Sequence, residues 1–151
     1  MPDSTADTKK HIARVQELVG DFTALLVTAT QGHDASKLLD PEKKTFDTFG
    51  PRLKHLKYGT PEYASSLAHM QEALDVHYAA NRHHPEHHKE GIYGMDLFDL
   101  GEMLADWKAA GERHKDNLGL RHSIEINAER FGYDERFKNL LLRTAGRLEW
   151  L

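Results

Sequence analysis

The chain has 151 residues, of which 39% are hydrophobic and 29% charged, a length and balance that fit one globular domain with a core of its own. Its formal charge of −4 with neutral histidines excludes a dedicated duplex-DNA binder, which would carry a basic stripe. The absence of cysteine excludes disulfides and thiolate zinc sites and agrees with a reducing compartment.

No apolar run reaches the roughly 18 residues of a membrane span, and the polar start Asp3-Ser-Thr-Ala-Asp7 is unlike a secretion signal. The expectation is a cytoplasmic protein, bacterial or from an infected host cell. Its flexible N-terminus should cover residues 1–7 and an all-helical domain residues 8–151.

The chain-order pattern is helical throughout. Ile12, Val15, Leu18, Val19, Phe22, Leu25 and Leu26 recur at three- and four-residue steps, predicting an amphipathic helix over 8–29. Gly32 ends it. His33-Asp34-Ala-Ser-Lys-Leu-Leu39 predicts a short helix, and Pro41-Glu-Lys-Lys another with proline in its first turn. Residues 50–60, with Gly50-Pro51 and Gly59, are expected as loop.

Thr60-Pro61-Glu62 has the form of a helix cap and first turn. Tyr63, Leu67, Met70, Leu74 and His77 then form one face. Pro85, Gly91 and Gly94 mark an irregular connection. Further helices are expected from Asp96 to His114, near 121–131 and over 134–149, the last two parted at Gly132. No strand pair or repeat is visible, so the fold class is all-α: a single-domain helical bundle.

Histidine distribution is the main chemical signal. Five of the chain's eleven histidines (His77, His83, His84, His87, His88) fall within twelve residues, and His33-Asp34 lies upstream. Imidazole and carboxylate suit borderline divalent metals. Asp106 sits inside a helix beside Met103 and Ala110, and a carboxylate on an apolar face requires a partner. Arg113 and a cation are the two candidates. His77, His83 and His84 are expected to point inward and to suit a second ion. His87 and His88 should sit in an exposed turn with little role.

The bland alternatives are plain. For Asp34 the alternative is a helix cap alone, and for His11 a hydrogen-bonded core histidine. Lys37 has the position to neutralise a phosphate, or simply faces solvent. Arg82 and Arg113 have the fork geometry for phosphate. Trp107 and Tyr78 have the chemistry to stack on a base, although a Trp in a helical stripe is ordinarily core.

The order His11, His33-Asp34, a histidine cluster, then Asp106 resembles the HD-domain superfamily of metal-dependent phosphohydrolases. The resemblance implies an HD-like fold and one divalent metal on His11 (in His-Ile-Ala-Arg-Val), His33-Asp34 (in His-Asp-Ala-Ser-Lys-Leu) and Asp106 (in Leu-Ala-Asp-Trp-Lys-Ala). His83-His84-Pro-Glu is similar to the His-His-Glu element of the HD-GYP branch with a proline inserted, and Lys37 falls where that branch has a lysine. The 5′-deoxynucleotidase branch has an acidic residue there, which Lys37 departs from.

The Asn81–His87 run and the Glu102–Ala110 helix are also similar to a small bacterial and phage family with no attached activity. What these resemblances imply is hydrolysis of a nucleotide or other small phosphate ester, using one or two ions among Mn, Co, Ni, Zn, Mg and Fe. The catalytic candidates are Lys37, Arg82 and Arg113. An HD-type di-iron oxygenase, drawing on two of His55, His77, His83 and His84 as well, is the alternative, with a non-catalytic metal- or nucleotide-binding module behind it. Neither membrane nor duplex DNA is an expected partner; a homodimer is the commonest assembly on base rates.

Overall fold

The computed structural model describes residues 3–53, 55–57, 59–113 and 118–151. Among them the chain is all-helical, with seven α-helices, several short 3₁₀ turns and no strand. No helix among the described residues is long and apolar enough to cross a membrane. By their contacts the residues group into two compact units, Met1–His33 and Asp34–Leu151.

The first unit is helix α1 (Thr5–Ala29) followed by a 3₁₀ turn over Thr30–Gly32. The helix begins at Thr5, inside the stretch expected to be flexible. Its stripe of Ile12, Val15, Leu18, Val19, Phe22 and Leu25 is exposed, and a unit of one helix offers these residues nothing to pack against. His11 is exposed on the same helix.

The second unit holds α2 (Glu42–Leu53), α3 (Pro61–Ala68), α4 (Gln71–Ala80), α5 (Leu97–Glu112), α6 (Gly119–Phe131) and α7 (Glu135–Arg147). The stretch after His33 is a single 3₁₀ turn, Ala35–Leu38. Helix α2 continues through Gly50 and Pro51 to Leu53, into the expected loop; Pro51 has no N–H, so the helix forgoes the one bond it would donate to the Asp47 carbonyl. The expected Thr60–His77 helix is two helices, parted at His69–Met70.

Local capping follows the sequence closely. Thr60 Oγ1 accepts the Tyr63 N–H at 3.3 Å. Asp96 accepts the N–H groups of Phe98 and Asp99 at 2.9 and 3.0 Å, while Asp99 Oδ2 accepts the Asp96 N–H at 3.1 Å, a reciprocal capping box that starts α5. At its other end α5 stops at Arg113; His114, the expected end, lies outside the described residues. Gly132, at φ 66°, takes the left-handed conformation that ends α6 and turns the chain into α7.

The core of this unit joins α5, α6 and α7 through Met103, Leu104, Leu120, Ile124, Leu141 and Ala145, with Ile92, Met95 and Tyr133 from the connections. Each large side chain removed from water here contributes about 1.5–3 kcal/mol. Tyr133 donates its hydroxyl to the Ile124 carbonyl, which pins the start of α7 to α6. A second packing layer sets α2 against α4 and the 35–38 turn, with Met70, Ala73 and Leu74 buried. Between the layers runs the histidine-rich connection, and so the core positions the site.

Candidate metal centre

Helix α4 delivers His77 on its last turn, facing inward below the apolar residues Met70, Ala73 and Leu74; it is 1% exposed. The chain then leaves the helix at Asn81 and turns through a 3₁₀ segment, Pro85–His87, bringing His83 and His84 back over His77. Ring centroids lie 4.7 Å apart for His77 and His84 and 4.2 Å apart for His83 and His84. Asp34 meets them from the start of the 35–38 turn. Its backbone is left-handed, φ 56° and ψ 12°, a conformation aspartate tolerates better than most residues.

Ligand atoms of Asp34, His77, His83 and His84 all lie within 4.8 Å of one another. The Nε2 atoms of His77 and His83 stand 3.3 and 3.6 Å from Asp34 Oδ1. Donor atoms around an ion with bonds of about 2.0–2.2 Å sit at such separations. The Nε2 atoms of His77 and His84 are 2.8 Å apart, a hydrogen-bond distance in which one imidazole donates. Asp106, on α5, brings a carboxylate oxygen within 4.8 Å of one on Asp34.

A buried acid and a half-buried one set which nitrogen of each ring carries its proton. His77 Nδ1 is 2.9 Å from Glu42 Oε2, and Glu42 is 1% exposed. The Asn81 amide nitrogen donates its two hydrogens to the His77 carbonyl at 2.8 Å and to Ser36 Oγ at 2.9 Å. Glu42 is therefore the acceptor for His77 Nδ1–H. On the other side, His83 Nδ1 lies 3.1 Å from Glu102 Oε1. Both assignments turn an Nε2 lone pair toward Asp34 Oδ1. With His77 Nε2 unprotonated, His84 Nε2–H is the donor between those two rings; carboxylate-oriented histidines of this kind surround bound metals.

The electrostatics agree. Burial, followed by the nearby Lys37 ammonium, lowers the His77 pKa. Burial, followed by the neighbouring His83 and His77, pushes His84 down to about 2. Neutral imidazoles are the form that binds metal. Asp34, Glu42, Glu102 and Asp106 gather around them; among the described residues the Lys37 ammonium stands with its Nζ 2.7 Å from Asp34 Oδ2 and 5.2 Å from the Phe46 ring centre.

The two expected arginines have other surroundings. Arg82 donates Nε and Nη2 to the two oxygens of Asp99 at 2.9 and 2.8 Å, and Asp99 is buried. That bidentate pair is structural: it ties the histidine connection to the first turn of α5. Arg113 is exposed at the end of α5, about 10 Å along the helix from Asp106, so it is not the partner that this half-buried acid required. His11 lies on α1, in the first unit. His33 ends the first unit, one peptide bond before Asp34.

His87 and His88, expected to be idle, hold the connection in shape. The ring of His87 bonds the Tyr78 carbonyl at 2.9 Å and that of His88 the Arg82 carbonyl at 2.8 Å. A Cβ on Gly94 would come within 3.0 Å of His88 Cβ, so only glycine lets these turns meet. Glu42, Asn81 and Glu102 went unnoticed in the sequence. Glu102 carries a signal, standing four residues before Asp106 on one face of α5; Glu42 looks like any acid opening a helix.

An all-helical protein with a buried histidine–carboxylate cluster is thus defined. A family model matches residues 2–149, and the chain belongs to that family, DUF5662, described as a family of unknown function. No curated protein and no solved structure matches it.

Proposed function

We propose that this protein is a divalent-metal-dependent phosphohydrolase acting on a small phosphate ester. One observation carries the reading: imidazole nitrogens of His77 and His83, oriented by Glu42 and Glu102, converge on Asp34 with His84 alongside. Mixed nitrogen and oxygen donors suit Mn, Co, Ni, Zn or Fe. Asp34, His77, His83 and His84 would hold the ion, with Asp106 beside Asp34 as a further oxygen donor for it or for a second ion. From the sequence pattern, His11 and His33 are further candidate ligands.

When bound, such an ion supplies Lewis acidity to a phosphate oxygen and lowers the pKa of a water. The chain's own groups do the rest. Lys37, held by Asp34, offsets charge on the phosphate oxygens as it accumulates. Water oxygen bonds to phosphorus and the ester P–O bond breaks. One water proton ends on the leaving alcohol oxygen and the other stays with the phosphate. Glu42 and Glu102 keep the rings fixed throughout.

The test is metal analysis of the purified protein combined with phosphate release from a panel of phosphate monoesters. Stoichiometric metal and release, both lost in Asp34→Asn and His83→Ala, support the proposal. Two irons per chain with an oxygen-dependent spectral change would replace it with a di-iron oxygenase. Tight metal without turnover would leave a binding module.

A further inference from the structure

Beside the cluster the second unit opens a cavity of about 480 Å³, within the roughly 300–1,000 Å³ typical of small-molecule sites. His84 and Asp106 lie on its wall, so the cavity is continuous with the candidate metal centre. Helices α5 and α6 supply most of the remainder, and their residues divide by chemistry.

Flat apolar surface comes from Trp107 and Phe131, whose rings are parallel to within 6° with centroids 6.3 Å apart, and from Tyr78, whose ring lies 5.0 Å from that of His84. Ala110, Gly111 and Gly119 leave the space between them unfilled. Ser123 and Asn127 also line the cavity; four residues apart, they share one face of α6. They bring a hydroxyl and an amide, which read polar edges without adding charge.

Charge is distributed unevenly. The lining residues Glu86 and Arg130 pair with each other at 2.6 Å, which offsets their fields. Lys57, His55 and His122 also line the cavity, and Asp106 faces it at the cluster end. A ligand matching this wall carries its charge at one end, against the centre, and a flat, uncharged ring with hydrogen-bonding edges at the other. A sugar phosphate or a simple alkyl phosphate would leave the aromatic surface uncovered.

We infer that the cavity takes the planar heteroaromatic part of a phosphate monoester of nucleoside size, stacked on Trp107 and read at its edge by Ser123 and Asn127. This rests on the hydrolase reading for the phosphate end only; ring binding needs neither metal nor phosphate.

The chain has two tryptophans, so a Trp150→Phe variant reports Trp107 alone. Metal-free variant protein is titrated with adenosine, guanosine, cytidine and uridine, and separately with ribose 5-phosphate. The expected result is a change in Trp107 emission with at least one nucleoside, at a Kd of about 1 mM or tighter, and none with ribose 5-phosphate. Ala110→Leu, which fills the cavity, should weaken that nucleoside about tenfold or more, and Ser123→Ala should weaken it severalfold with the fold intact by circular dichroism. Silence from all four nucleosides overturns the inference, as does an equal response to ribose 5-phosphate.

Phosphate release from the metal-loaded protein separates the two claims. Turnover that does not distinguish ribose 5-phosphate from nucleoside 5′-monophosphates overturns the cavity assignment and leaves the hydrolase standing. Nucleoside binding without any phosphate release does the reverse.

Discussion

Replacing Glu42 by glutamine tests whether the buried acid orients a metal ligand. The substitution keeps the side-chain shape and an amide oxygen able to accept His77 Nδ1–H across the present 2.9 Å, so the metal-free fold should survive. It removes the charge that makes the imidazole a stronger donor. Loss of such an orienting carboxylate typically weakens metal about 10- to 100-fold, equivalent to about 1.4–2.7 kcal/mol. At a metal concentration 100-fold above the wild-type Kd, binding stabilises the fold by about 2.7 kcal/mol; the variant would retain only about 1.4 to 0.4 kcal/mol. Calorimetric titration with Zn²⁺ or Mn²⁺, paired with urea unfolding with and without metal, reads both quantities. His77→Ala serves as the control that abolishes binding. Affinity and metal-induced stabilisation unchanged in Glu42→Gln would refute the orientation argument.

Other outcomes follow from the same geometry. Arg82→Ala leaves buried Asp99 without its bidentate donor and should cost about 2–3 kcal/mol in urea unfolding, with metal affinity falling as the histidine connection loosens; an unchanged midpoint would contradict the structural role. Lys37→Met removes the ammonium 2.7 Å from Asp34, so metal should bind severalfold tighter while phosphate-ester turnover falls, measured as Kd and kcat/KM. For metal-free protein, burial lowers the pKa of both His77 and His84, the latter to about 2. The unfolded chain, with histidines near 6.5, then binds more protons than the native one. Stability is full above about pH 6.5 and declines as pH falls from there toward 2. Urea midpoints from pH 7.5 down to about 4 should show this slope, and His84→Asn should flatten it.

How much of this was visible beforehand depended on whether the signal was local. Helix caps at Thr60 and Asp96 and the stop at Gly132 are set by neighbouring residues, and their chemistry is written at those positions. The break at His69–Met70 was hidden because Leu67, Met70 and Leu74 keep one periodicity across it, and only packing chooses two helices over one. Asp34, His83 and Asp106 stood out as residue types that rarely lie near apolar faces without a reason. Glu42 and Asn81 did not, since an acid in a first helical turn and an amide after a last one are both ordinary.

By itself the amino-acid order determined an all-helical chain and the inward course of His77, because periodicity and capping act over a few residues. Tertiary structure decided which distant groups meet: Glu42 behind His77, Glu102 behind His83, and Arg82 bound to Asp99. Those choices depend on how helices pack across the core, where separations of 17 to 45 residues close to hydrogen-bond distance, and no local pattern encodes that closure.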